Sequence, residues 1–381
     1  MGLTATPNEE VFWEDRQSFR AAVLNRPKAL NALNGNMVDQ LSELYDQWLR
    51  FPHIKGIIVK GKGGKAFCAG GDVRTVCEQG RAGEKENAID FFRREYKLNY
   101  KISQIEKPYI ALIDGICMGG GAGLSVHGNV RIASEKTVFA MPECAIGFFP
   151  DVGGSYYLPR LQGNLGIMLG LTGYNLKGRD VVLSGLANYY VASHLMAPLQ
   201  FRIQEVATAD AEVLHTAITE FEALEKDDPI PDDSVFQHIE EIERIFGAPT
   251  VEGIAANLAA KKQECAGLKD EEFWTELDKG LAKGAPVSLK VTLKLLREGA
   301  RMPLRECLIR EFRLAYHFMH GTSFYDGVTS QLITKDKNPQ WEYKTLEEVT
   351  PEIVDHYFSP IPEKEELVLP EEKREKTRGK L

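Results

Sequence analysis

The sequence predicts an α/β protein, with a layered core of strands and helices in its first half and a mainly helical C-terminal region. Three observations carry this. Short apolar segments alternate with helical stripes up to about residue 188; two glycine-rich segments each follow an apolar strand and open a helix; and beyond residue 188 charged helical stretches replace the strand signals. In chain order, residues 19–24 and 54–59 read as short apolar strands. Between them Met37, Leu41, Leu44, Tyr45 and Trp48 recur at i, i+4, i+7, i+8 and i+11, the stripe of an amphipathic helix. A second helix is expected over 91–105 and further strands over 109–113, 130–133 and 138–141. Residues 206–224 and 251–281 then read as helices, with Pro229 and Pro231 marking a loop within 226–233. A last helix carries Leu289, Thr292, Leu293 and Leu296 on one face and stops at Glu298 and Gly299. From residue 363 the chain is mostly charged and is expected to fray.

Composition narrows the function classes. With 43% apolar and 27% charged residues, the chain can bury a sizeable core. Its 46 Lys and Arg against 55 Asp and Glu leave a net charge of −9, which argues against nucleic acid or an anionic membrane surface as partner. No apolar run approaches the roughly 18 residues of a membrane span, and the acids Glu9, Glu10, Glu14 and Asp15 fit neither a signal peptide nor an intact transit peptide. Six cysteines without a C-x-x-C pair point to a reduced, intracellular protein.

Chemistry concentrates in three segments. The glycine-rich loops at 65–73 and 114–123 free backbone N–H groups at helix entries, where glycine lets a ligand approach closely. Neither closes with Gly-Lys-Ser/Thr, and Leu124 stands where a dinucleotide fingerprint needs its third glycine, so an ATP or NAD cradle is disfavoured. One such loop alone is best read as a tight turn; two together favour a two-donor oxyanion hole. The third segment, 141–154, carries Glu143 and Asp151 with no Lys or Arg to neutralise them. Such acids either face solvent or serve a function, since apolar surroundings would raise their pKa into the range of acid/base work. Pattern alone leaves the two open. Other candidates are weaker: Ser125 lacks a nucleophile elbow, His127 reads as a packed or capping histidine, and His317 with His320 lacks a third metal ligand. Lys60, Lys62 and Lys65 form either a solvated loop or a contact for a ligand phosphate.

Phe67-Cys-Ala-Gly-Gly-Asp72, Met118-Gly-Gly-Gly121 and the stretch from Pro142-Glu143 to Gly154 resemble the crotonase (enoyl-CoA hydratase/isomerase) superfamily in order and spacing, as does Asn25-Arg-Pro-Lys28-Ala-Leu-Asn-Ala-Leu33. The resemblance implies a crotonase-like fold of repeated ββα units followed by the helical C-terminal region. It implies that the N–H groups of Gly71 and Gly120 hold a CoA thioester carbonyl, with Lys28 and Ala69 also lining the substrate. Hydratases of the family place one catalytic glutamate where this chain has Gly123, so half of the hydratase acid/base pair is missing. Ser125-Val-His-Gly128, Phe139-Ala-Met-Pro-Glu143, Gly147-Phe-Phe-Pro-Asp-Val-Gly153 and Lys335-Asp-Lys-Asn-Pro339 resemble the branch that hydrolyses a short hydroxyacyl-CoA thioester in valine degradation.

The resemblance further implies that Glu143 attacks the carbonyl or activates water, that Asp151 assists proton transfer or orients the substrate, and that Glu95 binds a 3-hydroxyl. The competing reading of Glu95 is a solvated helix face beside Arg93 and Arg94. No metal or separate cofactor is expected, CoA being part of the substrate. Hydratase or isomerase chemistry using Glu143 alone, and a non-catalytic RNA-associated role, are the alternatives. The expected organisation is a core at 1–190, a helical cap at 191–358 and a charged, disordered tail at 359–381. Added helices between about 195 and 285 would help close the acyl-CoA site. Family members are often trimers, a surface these helices would cover, so a homo-oligomer is left open. The mitochondrial matrix is the expected location. Gly379-Lys-Leu381, one residue from a peroxisomal Ser-Lys-Leu, marks the alternative.

Overall fold

The computed structural model describes residues 9–223 and 229–371. Strands β1 (Val11–Arg16) and β2 (Phe19–Leu24) form an antiparallel hairpin. Helix α1 (Gly35–Arg50) follows, with Asn34 Oδ1 accepting from Met37 N (2.9 Å) as its N-cap and Met37, Val38, Leu41, Tyr45 and Trp48 buried. The next three units repeat one plan. β3 (Gly56–Gly61), β4 (Ala66–Cys68) and α2 (Val73–Arg81) make the first, after which the long helix α3 (Lys85–Ser103) crosses the core. β5 (Tyr109–Ile113), β6 (Ile116–Met118) and α4 (Gly120–Ser125) make the second. β7 (Val130–Ala133), β8 (Val138–Ala140) and, after a turn of 3-10 helix at Glu143–Ile146, the short α5 (Gly154–Tyr157) make the third.

The first strand of each unit joins one sheet and the second joins another. The larger sheet has the order β1-β2-β3-β5-β7-β10 and the smaller β4-β6-β8-β9, where β9 is Leu176–Lys177 and β10 is Tyr189–Tyr190. Helices α6 (Leu165–Thr172) and α7 (Arg179–Leu183) lie around these last strands. Because β4, β6 and β8 are parallel neighbours, the loops that leave their C-terminal ends emerge along one edge. Those loops are the three segments in which the sequence concentrates its chemistry.

Alternation with period two sorts the larger sheet onto two buried faces. Phe19, Ala21, Ile58, Ile110 and Leu112 face one way; Ala22, Leu24, Ile57, Val59, Ala111 and Ile113 face the other, toward the second sheet and the main core. The first face is covered by Leu199 and Ile203 of α8 (Met196–Val206) and by Leu214 and Ile218 of α9 (Ala211–Thr219). These helices therefore back the sheet on the side away from the three loops, and the expectation that the surplus at 195–285 closes the site does not hold for them. The remaining helices are α10 (Ile239–Phe246), α11 (Val251–Glu264), α12 (Glu271–Lys283), α13 (Pro286–Gly299), α14 (Leu304–His320), α15 (Ser323–Val328) and α16 (Pro351–Tyr357). Their apolar faces join the same hydrophobic cluster as the core strands.

Several boundaries differ from expectation for identifiable reasons. The helix expected over 206–224 is interrupted after Val206, because Asp210 accepts from Glu212 N and Val213 N and starts a new helix; Leu224 lies outside the described residues. The stretch 251–281 is two helices, broken where Gly267 takes φ +77°. The strand expected over 54–59 starts at Gly56. The segment after residue 359 does not fray as far as Glu371: Ile361, Leu367 and Leu369 are buried, and Glu365 and Glu366 pair with Arg93 and Arg313. Residues 372–381, with Gly379-Lys-Leu381, lie outside the described residues, as do residues 226–228 of the Pro-bearing loop.

Candidate active site

The two glycine loops meet. Leu33 pins the first by donating to Gly70 O (2.8 Å) and accepting from Asp72 N (2.6 Å), which leaves the intervening Gly71 N–H without a partner among the described residues. Gly120 is the first residue of α4, so its N–H has no acceptor within the helix. The two groups are neighbours: a Cβ on Gly120 would lie 3.2 Å from Gly71 N and would collide with Glu95 Oε1. At Gly119, with φ +44°, a Cβ would meet Glu143 Oε1 at 2.9 Å. Glycine is required at both places by close approach, and the approaching groups are the acids that the sequence singled out.

Glu95, Glu143 and Asp151 all converge on this spot, 2%, 7% and 5% exposed. Glu95 is therefore an inward-facing acid and not part of a solvated helix face. Its neighbour Arg94 turns outward to Asp39 and Asp90. Glu95 Oε1 and Glu143 Oε2 have no hydrogen-bond partner among the described residues. Asp151 accepts from the Tyr96 hydroxyl at its Oδ2 (2.7 Å).

Burial holds all three acids above the ordinary carboxyl range. The Asp151 charge pushes Glu143 and Glu95 further up, while Asp151 itself rises to about 7, with the Tyr96 hydrogen bond pulling against its burial. Three like acids in one buried pocket cannot all ionise together, so their protons are shared and titrate as a set.

Aromatic side chains pack around the pocket. Phe148 stacks on Phe92 of α3 (5.1 Å between centroids) and meets Phe318 of α14 and Phe324 of α15 edge-on. Gly147 and Gly327 bring backbone against backbone between the 143–147 turn and α15. Helices α14 and α15 are the part of the C-terminal region that supplies the aromatic side chains over Phe148.

The turn after Asp151 is strained. Val152 takes φ +51°, which for a β-branched residue costs about 1–3 kcal/mol, and Gly153 follows at +86°. His127 Nε2 donates to Val152 O (2.7 Å), so this histidine braces the turn. Ser125 is buried with its hydroxyl donating to Gly121 O and Ala122 O.

Lys28 is exposed on the short Pro27–Ala29 turn, next to the first loop, because Ala69 N donates to Leu30 O (3.0 Å). Of the basic trio, Lys60 turns away to Glu14 and Gln200. Lys65 remains exposed.

Sequence reasoning passed over Tyr96, Asn99 and Glu311. Asn99 is fully buried one helical turn beyond Glu95, and its amide has no partner among the described residues. It fills the space beside Gly123, where an added Cβ would meet Asn99 Nδ2 at 2.6 Å and Val152 Cβ at 2.8 Å. Glu311 reaches the Asp151 turn from α14.

Two adjacent strand-to-helix loops thus bring N–H groups without partners among the described residues beside buried acids. Residues 19–358 match the family model described as enoyl-CoA hydratase/isomerase, and the chain belongs to that family. Among curated proteins, it is 45% identical over 338 residues to a chicken (Gallus gallus) protein named 3-hydroxyisobutyryl-CoA hydrolase, mitochondrial, covering 89% of this chain and 86% of that one. The human (Homo sapiens) protein of the same name is 43% identical, covering 93% and 89%. Among solved structures, a carnitinyl-CoA dehydratase from Mycobacterium thermoresistibile superposes with TM-score 0.84 at 32% identity, over 95% of this chain and 99% of that one. An enoyl-CoA hydratase from Rhodobacter sphaeroides 2.4.1 gives 0.83 at 31%, over 95% and 100%.

Proposed function

We propose that the protein hydrolyses 3-hydroxyisobutyryl-CoA to 3-hydroxyisobutyrate and CoA, as a step of valine degradation in the mitochondrial matrix. The observation that carries this is the grouping of Glu143 and Asp151 beside the free N–H groups of Gly71 and Gly120, with no acid at position 123. The names of the curated relatives support both the substrate and the organelle.

In this reading the thioester oxygen sits between the Gly71 and Gly120 N–H groups. Each such donor is worth about 3–4 kcal/mol to a developing oxyanion. Glu143 acts at the carbonyl carbon. With the shared proton of the acid set resting on Glu95, the Glu143 carboxylate either attacks directly, forming an acyl anhydride and expelling CoA thiolate, or takes a proton from an attacking water. On the anhydride route Asp151 takes the proton of the water that cleaves the anhydride; on the other route Glu143 takes that proton and Asp151 orients the substrate. Glu95 receives the 3-hydroxyl, and Lys28 and Ala69 lie along the CoA. The chemistry asks for no metal or separate cofactor, because the thiolate leaves readily and the N–H pair supplies the electrophilic assistance. The direct test is release of free CoA from (S)-3-hydroxyisobutyryl-CoA, followed with a thiol reagent. Absence of thiol release by the wild-type protein would refute the proposal.

Hydratase chemistry is favoured by the names of the two similar solved structures. Against it stands the filled space at position 123. Gly123→Glu, the substitution that would restore the missing acid, is expected to displace Asn99 and Val152 and to lower thiol release at least about tenfold without creating hydratase activity. A folded Gly123→Glu variant that hydrates crotonyl-CoA would show that only this residue separates the two chemistries.

A further inference from the structure

Glu311 has no part in the mechanism above, yet it is a fully buried acid within reach of the site. We infer that Glu311 is a positioning residue for Asp151, fixing the backbone turn that presents the Asp151 carboxyl to the substrate; the inference rests on the hydrolase reading.

A buried acid needs hydrogen-bond donors, and those of Glu311 are all in one place. Gly153 N donates to Oε2 (2.7 Å), while Ser155 N (2.9 Å) and Ser155 Oγ (2.5 Å) donate to Oε1. All three donors lie within four residues of Asp151. The basic residues nearest in sequence do not answer its charge: Arg310 pairs with Glu298, and Arg313 with Glu366. The turn it grips is the one in which Val152 and Gly153 both take positive φ, a conformation that persists only where surrounding contacts impose it. His127 holds the Val152 carbonyl, and Glu311 holds the next amide.

The adjacent residue on α14 acts on the other side of the same acid. Phe312 packs edge-on against Tyr96 (6.4 Å between centroids, 87° between planes), and Tyr96 donates to Asp151 Oδ2. Two consecutive residues of one helix thus brace the backbone that carries Asp151 and the ring that bonds its carboxyl. This is the kind of supporting shell that keeps a reactive group within a fraction of an ångström of its working position.

The test uses the full chain, with Glu311→Gln and Ser155→Ala assayed beside the wild type on 3-hydroxyisobutyryl-CoA. Gln preserves the size but turns an NH₂ group toward amide donors, which forces the turn to shift. Expected for Glu311→Gln is a fall in kcat of about tenfold or more with KM within about threefold, because the two glycine loops are untouched. The inflection of the kcat–pH profile should also move to lower pH. A shifted turn opens the buried Asp151 carboxyl to water, which eases its ionisation. The titratable groups that face Asp151 are Glu95, Glu143, Tyr96, Tyr157 and Glu311, so the shift is read as that of the set. Ser155→Ala, which leaves Glu311 two donors, should show the same pair of effects at about threefold.

A role confined to anchoring α14 would lower the melting temperature and leave the pH inflection in place. The inference is supported if either folded variant shows both the kcat loss and the shift, and overturned if neither does. If Glu311→Gln does not fold, Ser155→Ala decides by the same two criteria. Failure of the wild type to release thiol is a separate result and strikes the hydrolase reading instead.

Discussion

Glu143→Gln is expected to lower turnover of the CoA ester by roughly 10³-fold or more while its dissociation constant stays within about threefold. The split follows from the geometry. Gln is isosteric, so the Gly119 approach, the Phe148 packing and the N–H groups of Gly71 and Gly120 keep their places. What is lost is the ionisable carboxyl that approaches Gly119, between those donors. Thiol release measures the first quantity and calorimetric titration with the CoA ester the second. Near-normal turnover would remove Glu143 from the chemistry, and loss of binding would mean that it mainly holds the substrate. With the wild type, label found in the Glu143 carboxyl after a single turnover in oxygen-18 water establishes an anhydride cleaved at the Glu143 carbonyl.

The most legible parts of the site in the sequence are those whose chemistry is local. A glycine loop announces itself by composition, and two acids without a neighbouring base stand out in an apolar stretch, as Glu143 and Asp151 do. That the loops meet is a property of the parallel order β4-β6-β8, which the long sequence separations between these strands conceal. Tyr96 reaches Asp151 across 55 residues and Glu311 reaches Gly153 of that turn across 158, so no local pattern marks their partners. One signal for Glu311 was present: it lies on the apolar stripe of Leu304, Leu308, Ala315 and Phe318, where a charge is out of place. The division of labour among the C-terminal helices was not legible, because α8 and α14 are both amphipathic. Which sheet face or loop an apolar stripe covers is decided by the other elements and not by the stripe itself.

Asp151→Asn is expected to slow turnover by about 10²–10⁴-fold, the range for loss of one positioned acid/base. The reasoning starts from its pKa. Raised to about 7, Asp151 is partly ionised at neutral pH, so it can take a proton from water and return it within one cycle. The wild-type kcat should therefore rise through an inflection that belongs to the acid set, and the variant, which removes the Asp151 charge from Glu143 and Glu95, should move it to lower pH; a variant within about threefold of wild type would leave Asp151 without a chemical role.

The same shift predicts a stability change. Between the ordinary aspartate pKa of roughly 4 and the raised value, the folded protein binds more protons at this group than the unfolded chain does. Its contribution to stability is therefore lost as pH rises through that window and fully present below it. Asn cannot ionise, so Asp151→Asn should gain stability relative to wild type as pH is raised from about 4 to 8, by an amount on the order of a few kcal/mol. Tyr96 can still bond the amide, which keeps the packing comparable. Melting temperatures of the two proteins across that range measure the gain, and a difference that does not widen with pH would show that Asp151 ionises in the folded protein as it does in water.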